Sequence, residues 1–237
     1  MFHKNLFLFV FGLLSYCLHA QTLFIGLSAG TAFSTFKTSK DFTSYDYKVG
    51  YKIHVPVIYE LNRNLSFSTG LSFMNLGASQ HVSLGVKYAM DPNDPIYQGF
   101  FVNENRFKDH LNYFSIPLTL NINQEFRTFL TYAKIGGYVS YLVSAKEIAI
   151  DNTQTYKTKI DLSNGTMNKL DAGILLGIGF VKPVSCGRVY VEAEYMIGKS
   201  NVHKSGNLMF PNPTEILNRS IFFNVGYIIK IGNNIWY

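Results

Sequence analysis

Charge is scarce in this sequence. Asp, Glu, Lys and Arg make up 15% of 237 residues, too few for the polar face of a helical bundle in water. Cysteine is scarcer, with two in the chain. Cys17 sits in an apolar leader, so Cys186 is left with no partner for an intrachain disulfide. Lys and Arg outnumber Asp and Glu 21 to 15 but are scattered singly, and no basic run of the nucleic-acid type occurs. The greasy stretch KLDAGILLGIGFVKP, Lys169 to Pro183, is uncharged only from Ala172 to Val181. That is too short for a membrane helix of about 20 residues, and right for a barrel strand of about 9–11.

What the chain has in quantity is aromatic residues and glycine: 20 Phe, 16 Tyr and 19 Gly. This mix favours strands. The first residues, MFHKNLFLFVFGLLSYCLHA, run from a basic start at Lys4 through an apolar stretch to Ala20. That order predicts a cleaved signal peptide over 1–20, followed by one domain over 21–237. Tyr16 before Cys17 argues against a lipoprotein site, where a small residue is wanted.

Alternation with period two recurs through the mature chain. Phe114, Ile116, Leu118, Leu120 and Ile122 share one face of a segment, and Tyr113, Ser115, Pro117, Thr119 and Asn121 the other. Eight such segments are expected, at 22–36, 47–60, 64–80, 110–123, 128–147, 167–182, 188–201 and 218–232. Short and long connections between them alternate strictly. Outer-membrane barrels join strands by short periplasmic turns and long external loops, whereas a soluble sandwich has no reason to segregate them. The bulky apolar phase is Leu, Ile, Val, Phe and Tyr, and the other phase is Gly and Ser with a few charges. Lipid outside and a polar, small-residue lumen inside satisfy both sets. The sequence therefore predicts an all-β, eight-stranded antiparallel up-and-down transmembrane β-barrel. Tyr47, Tyr51, Tyr59, Phe67, Phe73, Tyr141, Tyr195, Phe223 and Tyr227 take the outward phase, as interface girdles do.

The segments YFSIPLTLNI (113–122), YAKIGGYVSYLVSAK (132–146) and LDAGILLGIGF (170–180) resemble the PorT-like outer-membrane β-barrel family of Bacteroidetes-type envelopes. The resemblance implies an eight-stranded outer-membrane barrel with a signal peptide and no catalytic residues, in a family whose founding members serve protein secretion. It also implies a Gram-negative outer membrane as location.

Candidate sites follow from parity. Lys52, His54, Lys134, Asp171, Glu192, Glu194 and Lys230 are expected to form a polar network in the lumen, because charges in a narrow interior need partners. The long segment between the third and fourth strands carries Tyr88, Tyr97, Phe100, Phe101 and Arg106, expected to form an external binding surface or a strand extension beyond the membrane. Tyr237 is expected to serve as the terminal aromatic read by the barrel-assembly machinery. Expected partners are outer-membrane lipids or lipopolysaccharide, that machinery and other envelope or secretion proteins, with no nucleic acid. No cofactor or metal is expected. DPNDP, Asp91 to Pro95, lacks the glycine and late Glu of a calcium loop. Two alternatives stay open: a lipid-modifying enzyme at the outer rim, with Ser79 or Ser83, His81 and Asp109 as its cheapest catalytic set, and a narrow channel.

Overall fold

The computed structural model describes residues 22–38, 45–89, 98–150, 154–165, 167–202 and 215–231. The expected leader and Tyr237 lie outside them. Ten strands follow one another: β1 (Thr22–Thr38), β2 (Lys48–Asn62), β3 (Leu65–Leu76), β4 (Ser79–Ala89), β5 (Gln98–Glu125), β6 (Leu130–Ile150), β7 (Thr155–Ile160), β8 (Leu170–Val184), β9 (Gly187–Asn201) and β10 (Ile216–Ile231). Eight of them close a ring in the order β1, β2, β3, β5, β6, β8, β9, β10, with each neighbouring pair antiparallel. Closure matters because an open strand edge in hydrocarbon strands its N–H and C=O groups. The seam runs unbroken from Leu23 opposite Ile231 to Thr38 opposite Ile216.

The ring is the barrel that alternation predicts. Of the two further strands, β4 with the upper part of β5 is the strand extension offered for the link between the third and fourth segments, and β7 corrects the reading of the link after the fifth segment as a loop. β4 pairs with the upper part of β5, from Ser79 opposite Lys108 to Ala89 opposite Gln98. β7 pairs with the upper part of β6, from Ala145 opposite Ile160 to Ile150 opposite Thr155. β5 and β6 remain paired up to Arg106 opposite Ile150. β5 is 28 residues long, roughly 90 Å at strand rise, and a bilayer needs about a third of that. Its surplus, with β4, β6 and β7, builds a four-stranded sheet outside the membrane. The expected third segment, 64–80, is broken at Gly77. This residue takes φ 138°, and a Cβ there would meet the Asp109 carbonyl at 1.9 Å, so only glycine lets the chain bend from β3 into β4.

Parity assigns the faces. Leu27, Ile53, Val55, Ile116, Leu118, Ile135, Ile178 and Val225 are exposed large apolar residues on the outside of the ring. Tyr51, Phe73 and Phe114 form an aromatic row near the loop end, with ring centroids 6.1 and 5.3 Å apart. Phe126, Phe129 and Phe180 stack near the short-turn end at 4.7 Å. These rows bound the lipid-facing band. Inside, an apolar plug of Phe36, Met74, Leu111, Leu142, Met196 and Phe222, among others, fills the extracellular half of the lumen. A smaller cluster of Phe24, Val181, Tyr190 and Ile228 fills the periplasmic end. Lumen glycines make room for rings: a Cβ on Gly179 would meet the Tyr132 ring at 2.2 Å, and one on Gly226 the Tyr190 ring at 2.4 Å.

Leu118 points outward between the two aromatic rows and is 63% exposed. Leu118→Arg is expected to lower the barrel's unfolding free energy in phospholipid vesicles by about 2–4 kcal/mol. Thr119→Asn, on the inward side of the same strand, should cost much less. Equal losses in urea titrations would contradict the assignment of faces.

Candidate functional site

β9 alternates Glu192 and Glu194, facing in, with Val191, Ala193 and Tyr195, facing out. Lys52 of β2 and Lys134 of β6 meet these carboxylates at mid-lumen. Lys52 Nζ is ion-paired with Glu194 Oε2, both side chains being 2% exposed. Lys134 Nζ bridges Glu192 Oε2 at 2.6 Å and Glu194 Oε1 at 2.5 Å. Asn224 Nδ2 donates to Glu192 Oε1 at 3.1 Å and to Glu194 Oε2 at 2.9 Å, and Tyr132 Oη donates to Glu192 Oε2 at 2.7 Å. Two ammonium groups thus face two carboxylates, and all four carboxylate oxygens are bonded. A buried ion pair is tolerable only with such satisfaction. Phe222 closes the layer from above, with Lys52 Nζ 5.0 Å from its ring centre.

Of the remaining lumen candidates, His54 borders this layer and Asp171 and Lys230 lie apart from it. His54 Nδ1 is 2.8 Å from Ser72 Oγ and 3.3 Å from the Leu71 carbonyl. Asp171 belongs to a separate polar island inside the apolar plug, where Oδ2 accepts from Asn218 at 2.9 Å and Tyr138 at 3.2 Å. On β8 it lies six residues above Gly177, which is opposite Glu194, so about 20 Å of strand separates it from the charged layer. Lys230, opposite Phe24, is displaced a similar distance the other way along β10 from Asn224. Tyr132 and Asn224 complete the layer and went unnamed in the sequence reading. Their signal was available: Tyr132 has the parity of Lys134, and Asn224 that of Lys230.

Beneath the layer is a cavity of about 50 Å³ lined by His54, Ser68, Asn121, Tyr132, Lys134 and Glu192, among others. It has room for water but not for a solute. At its periplasmic mouth Arg188 pairs with Glu60 at 2.5 Å and stacks on Phe24.

The external candidates converge on one hairpin. Tyr88 of β4 is opposite Gly99, while Phe100 and Phe101 of β5 are opposite Lys87 and Val86. Arg106 is exposed lower on β5, and Tyr97, Asp91, Asp94 and His203 lie outside the described residues. Among the described residues, no group of three or more His, Cys, Asp or Glu could hold a metal ion. The Ser–His–acid set is not assembled as the sequence allowed. His81 has Asp46, not Asp109, for its nearest carboxylate, at 3.6 Å, and its Nε2 accepts from Arg106 Nε at 2.8 Å.

The chain matches the family model for the outer membrane protein beta-barrel domain over residues 19–204. It belongs to that family. This outer-membrane barrel resides in the outer membrane of a Gram-negative envelope. Solved structures similar to it include Neisserial surface protein A, 10% identical, covering 90% of this chain and 100% of that one with a TM-score of 0.48. OprG from Pseudomonas aeruginosa is 11% identical over 90% of this chain and 97% of its own, at 0.42. Ail, the attachment invasion locus protein of Yersinia pestis, is 13% identical over 87% and 98%, at 0.37. Among curated proteins, none matches the barrel at a significant level.

Above the Tyr51–Phe73–Phe114 row, outside the lipid band, Asp109, Lys48 and His110 sit close together. Lys48 Nζ donates to Asn75 Oδ1 at 2.6 Å and to the Leu76 carbonyl at 3.0 Å, and burial lowers its pKa to about 8. Burial and then Glu147 raise the Asp109 carboxyl to about 6, against the pull of Lys48. Burial and then Lys48, Lys108 and Lys146 lower the His110 ring to about 4.

Two predictions follow from these sites. Glu194→Ala leaves Lys52 buried without its counter-charge and should destabilise the barrel by about 3–5 kcal/mol in urea titrations. A change within error of zero would show that the pair holds nothing. At the rim, folded Asp109 takes its proton before the unfolded chain does, so acidification through about pH 6 stabilises the fold, an effect lost as pH rises through 6. His110 acts oppositely, because below about 6.5 the unfolded chain binds the proton first. Asp109→Asn removes the first effect and keeps the second. The variant should therefore lose more urea resistance than the parent between pH 7 and pH 4, and parallel losses would refute the assignment.

Proposed function

We propose that this barrel is a PorT-like, non-enzymatic component of the cell envelope that uses its external sheet to bind a secretion or envelope-assembly partner. The observation that carries this reading is the contrast between a filled lumen and an extended exterior. The lumen holds an apolar plug, a neutral charged layer and a cavity of about 50 Å³. Eight strands leave an interior just wide enough for side chains, which disfavours the channel reading. Outside, β4, β5, β6 and β7 present four strands beyond the lipid. β7 carries Lys157 and Lys159 on an exposed edge, a pattern that discourages indiscriminate strand pairing. β4 forms the opposite edge, held at its start by the bridge between Asp46 and Ser79.

Against the enzyme reading, the one Ser–His hydrogen bond among the described residues joins Ser72 to His54 in the closed lumen, away from any lipid substrate. Residues 1–20 serve in this reading as a signal removed on export, and Tyr237 as the terminal aromatic engaged during insertion.

Deleting the gene should strand exported cargo proteins in the periplasm, read by comparing culture supernatant with periplasmic extract. Unaltered secretion would reject the secretion role. Restoring a form in which residues 80–107 are replaced by a short glycine-containing turn should yield a folded barrel that does not restore export. Folding is read from heat-dependent gel mobility. Full restoration would move the function away from the sheet.

A further inference from the structure

A cavity of about 450 Å³ opens at the outer rim, where β2 separates from β3 and meets β4 only through the Asp46–Ser79 bridge. Its two sides differ in chemistry. Tyr47 and Val49 give it an apolar side and are 62% and 63% exposed. His81, Arg106, Lys108 and His110 give it a basic side. The register explains the second side: Ser79 is opposite Lys108 and His81 opposite Arg106, so these residues share one face of the β4–β5 pair, and His110 continues the phase of Arg106 and Lys108 along β5.

Among the described residues lining the cavity, cations outnumber carboxylates. Asp46 is the carboxylate lining the cavity, 3.6 Å from His81. The largely buried Lys48 also lines the cavity, and Asp109, on the other phase of β5, lies in its field. Arg106 is engaged with the His81 ring, and Lys108 has no ion pair among the described residues. Three ammonium groups bear on His110, after burial, in keeping its ring unprotonated. Directly below come Tyr51, Phe73 and Phe114, the aromatic row that marks the edge of the hydrocarbon.

We propose that this cavity is a binding site for a phosphate-bearing lipid of the outer leaflet. Arg106 and Lys108 take the phosphate as charge-assisted donors. Tyr47 and Val49 take the glycerol or sugar base of the head group, and the acyl chains descend over Tyr51 and Phe73. A basic wall directly above an apolar one matches an amphiphile; a free anion would leave the apolar side unused. The site would pin one lipid at the base of the external sheet and brace the seam between β2 and β4, which a single bridge holds.

The test is native mass spectrometry of the detergent-solubilised barrel with phosphatidic acid, and with phosphatidylcholine of the same chain length. One phosphatidic acid per barrel should be retained, and phosphatidylcholine should not. Arg106→Ala with Lys108→Ala should cut retention about tenfold or more, whereas Arg106→Lys with Lys108→Arg should keep it. Arg127→Ala with Lys182→Ala, at the periplasmic end, should leave retention unchanged. Heat-dependent gel mobility checks the fold of each variant, and Lys108→Gln alone stands in if the double variant misfolds. The proposal is overturned by unchanged retention in the rim variant, by equal retention of phosphatidylcholine, or by equal loss in the periplasmic variant. Inorganic phosphate in excess should fail to displace the lipid; complete displacement would mean a free-anion site and reject the lipid.

Discussion

Backbone hydrogen bonding without water governs this molecule. In hydrocarbon every N–H and C=O in the spanning strands must find a partner in the next strand, so β1 must meet β10. Once that seam forms from Leu23 to Thr38, strand number and tilt fix the interior width. Side chains then have a lumen of set size to fill, and everything inside follows from that. Glycine under the Tyr132 and Tyr190 rings, the plug around Phe222 and Leu142, and the compact Lys–Glu layer are ways of filling one narrow tube so that little more than water is left room.

The same constraint weakens beyond the membrane. Above the Tyr51–Phe73–Phe114 row, water satisfies open edges, and β5 and β6 lengthen with β4 and β7 as outer partners. Gly77 marks the change of regime, since it turns the wall of the barrel into the first strand of the external sheet. Titratable groups gather at that level: Lys48 of β2 and His110 of β5 shift down while Asp109 of β5 shifts up.

Much of this was legible in the sequence, because period-two alternation reports a single variable, inside or outside. It gave the eight ring strands and the inward set of Lys52, Lys134, Glu192 and Glu194. Parity carries no height, however. Asp171 and Lys230 have the right phase but sit about 20 Å along their strands from Glu194 and Asn224, and only register between strands reveals that. Extra strands escaped for a related reason. Outside lipid neither face of a strand has to be apolar, so the alternation that announces a spanning strand fades: β7 read as a loop, and a strand extension at β4 and the upper part of β5 stood only beside a binding loop. The apolar plug was hidden because Leu111, Leu142, Leu175 and Met196 share inward parity with small and polar residues, and a count of apolar outward positions overlooks them.

Inside the barrel each charge of the central layer is matched, and the matching is local: Lys52 and Lys134 against Glu192 and Glu194, with Asn224 and Tyr132 filling the remaining acceptor positions. A group so fully engaged has nothing to offer a ligand without breaking several bonds at once. This layer is therefore architecture, however much a cluster of buried Lys and Glu looks like a reactive site. The rim is different. Lys108 has no ion pair among the described residues, Arg106 donates to the His81 ring, and the two border a cavity about nine times the size of the lumen's, 450 against 50 Å³. In a protein this short of charge, cations that have no ion pair among the described residues at the lipid boundary are where recognition can occur. The barrel itself fixes their height above the hydrocarbon.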